Sequence, residues 1–122
     1  AEYRGASVAQ VIAFSRAQLR YWLEDEFAAP FRRMLSLEQY RSEEMRALHA
    51  SYLVSGPLGY TEDLLASLGY DAPREKALAF YAPMFFLYSL YDAGEPLPRV
   101  LALADEHFDR AARALIGDEA KK

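Results

Sequence analysis

Residues 77–91, ALAFYAPMFFLYSLY, constrain the fold more than any other part of the chain. The segment holds six aromatic residues, a central proline and no charge. A helix that is apolar all round has to be covered all round, so the fold must supply neighbours on both of its sides. On a helical wheel one face carries Ala77, Phe80, Tyr81, Met84, Tyr88 and Tyr91, mostly large. The other carries Ala79, Ala82, Pro83, Phe86, Ser89 and Leu90, where small residues predominate. A membrane span is not expected: crossing a bilayer takes about 20 apolar residues, and this run stops short at Lys76 and Asp92. Glu2 and Arg4, with no compact apolar block behind them, also argue against a secretory signal.

The rest of the chain reads as helix almost throughout. Over residues 7–28, Val8, Ile12, Leu19, Leu23 and Phe27 recur at three- and four-residue steps and form one stripe. Ser7 is a candidate cap, and Pro30 closes the run while suiting the first turn of the next helix. Phe14 and Tyr21 point off the stripe, so this helix is expected to touch something on a second side. A short helix follows over 30–40, with Phe31, Met34 and Leu35 facing inward. Ser42 then caps another, with Glu43 and Glu44 at its positive end and Met45, Leu48, Tyr52 and Leu53 on its buried face. Ser55-Gly56-Pro57 interrupts it, a further segment runs over 58–68, and Gly69 is a natural stop. Asp71 and Pro73 open the aromatic helix, and Asp92-Ala93-Gly94 close it. Pro96 and Pro98 start the last helix, which ends before a loose charged tail from Asp118 to Lys122. No run alternates in the manner of a strand. The expected fold is all-α, an antiparallel bundle of about six helices in one domain over residues 1–122.

The last helix repeats the apolar excess of the aromatic one: its arc from Leu103 through Ala104 and Phe108 to Ala112 is wider than one core contact needs. A domain this small cannot easily cover two adjacent helices on every side, and a second copy supplies the missing surface. The expected arrangement is a homodimer in which the last two helices meet their copies as a four-helix bundle. Ala79, Ala82, Pro83, Phe86, Ser89 and Leu90 would lie in that interface, with Leu103, His107, Phe108 and Ala111 of the last helix. The alternative, a central helix within a monomer, leaves the wide stripe of the last helix unexplained.

Pro83 removes a backbone donor and pushes on the Ala79 carbonyl, so the aromatic helix should bend there. A gap at the bend, lined by Phe80, Tyr81, Met84 and Tyr88, would suit an apolar or aromatic ligand. The same residues can equally fill a core, and by spacing alone core filling is the commoner outcome.

The stretches FRRMLSLEQYRSEEMRALHASYLVSGPLGYTEDLL and ALAFYAPMFFLYSLYDAG resemble the C-terminal regulatory domain of TetR-type transcriptional regulators, over roughly residues 7–116. The most particular parts are Phe31-Arg32-Arg33-Met34-Leu35, Tyr52-Leu53-Val54-Ser55-Gly56-Pro57 and Phe80-Tyr81-Ala82-Pro83. The resemblance implies packed helices, a homodimer through the last two, and a pocket in each subunit for a small apolar or aromatic effector. It further implies DNA binding through a separate N-terminal helix-turn-helix domain. Residues 7–28 resemble the long helix that follows that domain, and the chain starts at Ala1 without an initiator Met, so it is expected to be part of a longer protein and not to grip an operator by itself. A pocket carried over by position would draw on Leu19, Leu23, Met34, Leu35, Met45, Leu48, Tyr52, Tyr81, Met84 and Tyr88. Arg41 and His49 are expected at the surface.

Composition narrows the chemistry. A net charge of −4 does not favour gripping nucleic acid. The absence of cysteine removes disulfides and thiolate zinc sites and fits a cytoplasmic location. His49 and His107 are the two histidines, and Asp105-Glu106-His107 cannot converge on one ion because consecutive helical residues diverge. No cofactor, metal or catalytic activity is expected. Gly56-Pro57-Leu58-Gly59 lacks the length and the lysine of a phosphate loop.

Overall fold

The computed structural model describes residues 2–120, with side chains described from 7 to 117. Six helices run through them: α1 Glu2–Glu24, α2 Ala28–Glu38, α3 Glu43–Leu53, α4 Ser55–Ser67, α5 Pro73–Asp92 and α6 Leu97–Ala120. Among the described residues there is no strand.

The breaks follow from local chemistry. Asp25 ends α1 by turning its carboxylate onto the chain ahead: Oδ2 accepts from the N–H of Phe27 at 3.0 Å and of Ala28 at 2.9 Å. Those donors begin α2, and a side chain that satisfies them competes with continuing α1. The first helix therefore stops short of Ala28, and Phe27 leaves the expected stripe, 69% exposed. Ser7 caps nothing, because α1 already runs from Glu2. Ser42 does cap α3: it is extended and its hydroxyl accepts from Met45 N at 3.2 Å, with Glu43 and Glu44 in the first turn.

Only Val54 separates α3 from α4. A Cβ on Gly56 would lie 1.8 Å from the Ser51 carbonyl oxygen, so the two helix ends approach as closely as glycine permits. Pro57 falls in the first turn of α4, where its missing N–H does no harm to that helix, so α4 begins three residues earlier than the sequence implied. Gly69, at φ 88°, ends α4. Ala72 then enters α5 in the left-handed region, at φ 46° and ψ 52°. α6 runs on to Ala120, into the segment expected as a loose tail; Lys121 and Lys122 lie outside the described residues.

In packing, α1 lies against α2, α5 and α6; α5 also contacts α4 and α6, and α3 bridges α2 and α4. Val8, Ile12, Leu19 and Leu23 of α1 meet Leu35, Leu53, Leu65 and the buried side of α5 and α6 in one core. Fully burying each such side chain contributes roughly 1.5–3 kcal/mol. Tyr70 ties the α4–α5 turn to α6 by donating to the Leu115 carbonyl at 3.0 Å.

Candidate functional site: an aromatic cavity between α1, α3–α4 and α5

The large face of α5 is turned inward: Ala77, Phe80, Tyr81, Met84 and Tyr88 are buried. It does not close onto its neighbours completely. Between it, α1 and the α3–α4 junction lies a cavity of about 490 Å³ with sixteen lining residues, within the range of small-molecule sites. From α1 come Val11, Phe14, Ser15, Gln18 and Trp22, one face at helical steps of three and four. Ser51 and Tyr52 of α3 form a second wall with Gly56, Pro57, Tyr60, Thr61 and Leu64 of α4. Phe80, Tyr81, Met84 and Tyr88 of α5 form the third.

One end is closed by rings. Trp22 meets Tyr52 edge-on with centroids 6.2 Å apart and stacks on Phe31 at 6.4 Å, while Phe31 meets Tyr52 edge-on at 5.5 Å. Phe14 and Tyr60, both about half exposed, face each other across 6.1 Å and leave that side open to solvent.

Of the ten positions implied for a pocket, Tyr52, Tyr81, Met84 and Tyr88 line this cavity. Leu19, Leu23 and Leu35 do not; they are sealed in the core. Met45 packs against the edge of the core, and Met34 and Leu48 are exposed. The discrepancy is one of rotation: the core stripe and the cavity stripe of α1 lie about one residue step, roughly 100°, apart. The sequence signal for the second stripe was Phe14, which points off the first. His49, expected at the surface, is buried, and burial lowers its pKa. Arg41 is exposed.

Tyr81 is held by a specific debt in the backbone. The carbonyl of Leu53 would normally receive a hydrogen bond from the residue four positions on, and that residue is Pro57, which has no N–H. The Tyr81 hydroxyl donates to it instead, at 2.5 Å. Burial pushes the Tyr81 and Tyr88 pKa values well above the ordinary tyrosine range, so both stay neutral.

Behind Tyr88 lies a buried ion pair that sequence reading missed. Arg32 is 1% exposed. Its guanidinium makes a two-pronged contact with Asp92, at 2.6 and 2.8 Å, and its Nε donates to the Trp22 carbonyl at 3.2 Å. The same guanidinium sits 5.0 Å over the Tyr88 ring. Arg33 reaches Asp92 from outside at 3.0 Å. Burial opposes ionisation of Asp92, but the hydrogen bonds and charges of the two arginines outweigh it and hold its pKa below the usual value. Tyr88 thus has the cavity on one side and this pair, with a niche of about 30 Å³, on the other.

The second face of α5 stands open. Ala79, Ala82, Phe86 and Ser89 are exposed, Pro83 and Leu90 half-buried, and Leu78 and Phe86 are 56% and 60% exposed. On α6, Leu103 and Ala111 are half-buried. His107 and Phe108, expected in the interface, are instead buried within the chain, where both rings pack against Phe80. Phe108 lies under the Arg16 guanidinium, and Arg16 itself pairs with Asp105. His107 Nε2 is 2.7 Å from the Phe80 carbonyl, the position just after Ala79, whose carbonyl Pro83 leaves without its helical donor. Burial lowers the His107 pKa, the bond to Phe80 opposes that, and Arg110 adds to it. The ring is therefore neutral and donates Nε2–H to the carbonyl.

Neither histidine lines the cavity, and none of its lining residues carries a formal charge. Its walls offer rings, aliphatic side chains and neutral hydroxyl and amide groups. Among the described residues no group of three His, Asp or Glu side chains is placed to hold a metal, and no helix is long and apolar enough to cross a membrane. No family model, curated protein or solved structure matches the chain.

Proposed function

We propose that this chain is the effector-sensing and dimerising domain of a TetR-type transcriptional regulator. In this reading a small apolar or aromatic molecule enters the cavity, two copies pair through α5 and α6, and a helix-turn-helix domain ahead of Ala1 in the parent protein reads DNA. The observation that carries the proposal is the double use of α5. Its inner face walls an aromatic cavity of about 490 Å³, and its outer face presents Leu78, Ala82 and Phe86 to solvent. A ligand that prefers one position of α5 changes how two copies sit against each other, by as much free energy as its affinities for the two arrangements differ. DNA-reading domains attached to α1 would follow that change.

A thermal-shift screen of neutral aromatic compounds tests the sensing half. A binder at about 100 times its Kd stabilises the chain by roughly 2.7 kcal/mol; a chain that no such compound stabilises is a dimerisation module without a ligand. Sedimentation at micromolar protein tests the other half. The wild type should run as a dimer and Phe86→Asp as a monomer, and a dimer untouched by that charge rejects the α5 face as the interface.

A further inference from the structure

We infer that the cavity selects an uncharged aromatic molecule that presents a hydrogen-bond donor, which the oxygens of Tyr81 and Thr61 receive; this rests on the ligand-sensing reading above. Charge is the first discriminator. With no Arg, Lys or His among the lining residues, an anion would lose its water and find no counter-charge. A cation can be held by ring faces, but no carboxylate lines the wall, and the Tyr88 ring already carries Arg32 on its far side at 5.0 Å.

Hydrogen-bond polarity is the second. Tyr81 and Thr61 are both buried, and each has one hydroxyl hydrogen. Tyr81 gives its own to the Leu53 carbonyl at 2.5 Å, and Thr61 gives its own to the Pro57 carbonyl at 2.9 Å. Both oxygens can then only accept. A ligand with a phenolic O–H or ring N–H satisfies them, whereas one with only lone pairs meets lone pairs. Ser15, Gln18, Ser51 and the hydroxyls of Tyr52, Tyr60 and Tyr88 can turn to either polarity, and the Trp22 ring N–H can meet a ligand lone pair, so it is at the two committed oxygens that a ligand donor is required.

The test is isothermal titration calorimetry at pH 7 with four probes of one ring size: 1-naphthol, 1-methoxynaphthalene, 1-naphthoate and 1-naphthylmethylammonium. The expected order is naphthol tightest, the methyl ether about tenfold weaker for the lost hydrogen bond, and the two ions weaker by about 100-fold or more. Tyr81→Phe should bring naphthol down to the affinity of the ether and leave the ether unchanged. Because that variant also strips the Leu53 carbonyl of its donor, Thr61→Val serves as a second arm and should narrow the same gap in a folded chain. An ether or an ion binding as tightly as naphthol overturns the donor rule while the sensing cavity stands. Heat from none of the four removes the cavity as a ligand site, and the donor rule with it.

Discussion

Replacing Asp92 by Asn leaves the buried Arg32 guanidinium with no counter-charge, and the structure sets the size of the loss. The Arg32 side chain is 2% exposed, so it cannot turn to water, while Asp92 is 31% exposed and shared with Arg33. Removing one partner of a fully buried pair costs about 3–5 kcal/mol; the partial exposure of Asp92 brings the expected loss for Asp92→Asn down to roughly 2–3 kcal/mol. For a chain of this length that lowers Tm by about 8–12 °C. Arg32→Met should cost less, about 1 kcal/mol, because the stranded group is then Asp92, which keeps water and Arg33. The sign with pH follows from the depressed Asp92 pKa. Its contribution is present above the unfolded value of 3.8 and is lost as pH falls through the lower folded value. Wild type and Asp92→Asn should therefore differ fully at pH 5–8 and converge in stronger acid. Urea unfolding followed by circular dichroism measures all three chains. Equal losses for the two variants, or a larger one for Arg32→Met, would refute the claim that Arg32 is the trapped charge.

Gly56→Ala places a Cβ against the Ser51 carbonyl oxygen, so α3 and α4 must part; a loss of about 2 kcal/mol or more is expected, and an unchanged urea midpoint would mean the approach is slack. Ala72→Gly relieves a left-handed backbone at about 1–2 kcal/mol and concedes about 0.5–1 in chain entropy; the net is a small stabilisation, and a lowered Tm would contradict it. His49 and His107 both have depressed pKa values, so the unfolded chain binds protons more readily. Stability should hold above pH 7 and fall as pH drops below 6.5, and the double variant His49→Gln/His107→Gln should be flatter between pH 7 and 5; a wild-type curve already flat there refutes the assignment.

The all-helical fold was legible because period and punctuation agree: the Val8–Ile12–Leu19–Leu23 stripe, the Ser42 cap, Gly69 and Pro73 all do in space what their residue types favour. Boundaries slipped where a side chain bonds to backbone in a way no pattern encodes, as Asp25 does beyond α1. The cavity was half legible. Its α5 wall follows from the crowding of large residues on one face, whereas its α1 wall depends on the rotation of that helix, which one stripe cannot fix when a second lies beside it. Arg32 was illegible because a charged residue on a short amphipathic helix reads as solvated, and its partner lies 60 positions away. His107 was misplaced because the apolar arc of α6 does not say which part of it faces α5; in the fold its ring turns inward to the Phe80 carbonyl.

A cleft of this size with apolar walls, open to solvent on its Phe14–Tyr60 side, tends to close, since walls that do not touch forgo dispersion contacts and stay wet. What keeps these walls apart is a set of polar ties made by or just behind the lining residues. One of these ties answers a proline: Pro57 leaves the Leu53 carbonyl without its helical donor. Tyr81 of α5 fills the donor place that Pro57 leaves at Leu53, and His107 of α6 supports the Phe80 carbonyl. Arg32 then ties the far end of α5 at Asp92 to the end of α1 at Trp22. These three polar ties fix α5 to α3, α6, α2 and α1 at set distances. Apolar contacts tolerate sliding, but a hydrogen bond lost in a buried place leaves an unpaired group at about 1–3 kcal/mol each, so the frame resists closing over the void.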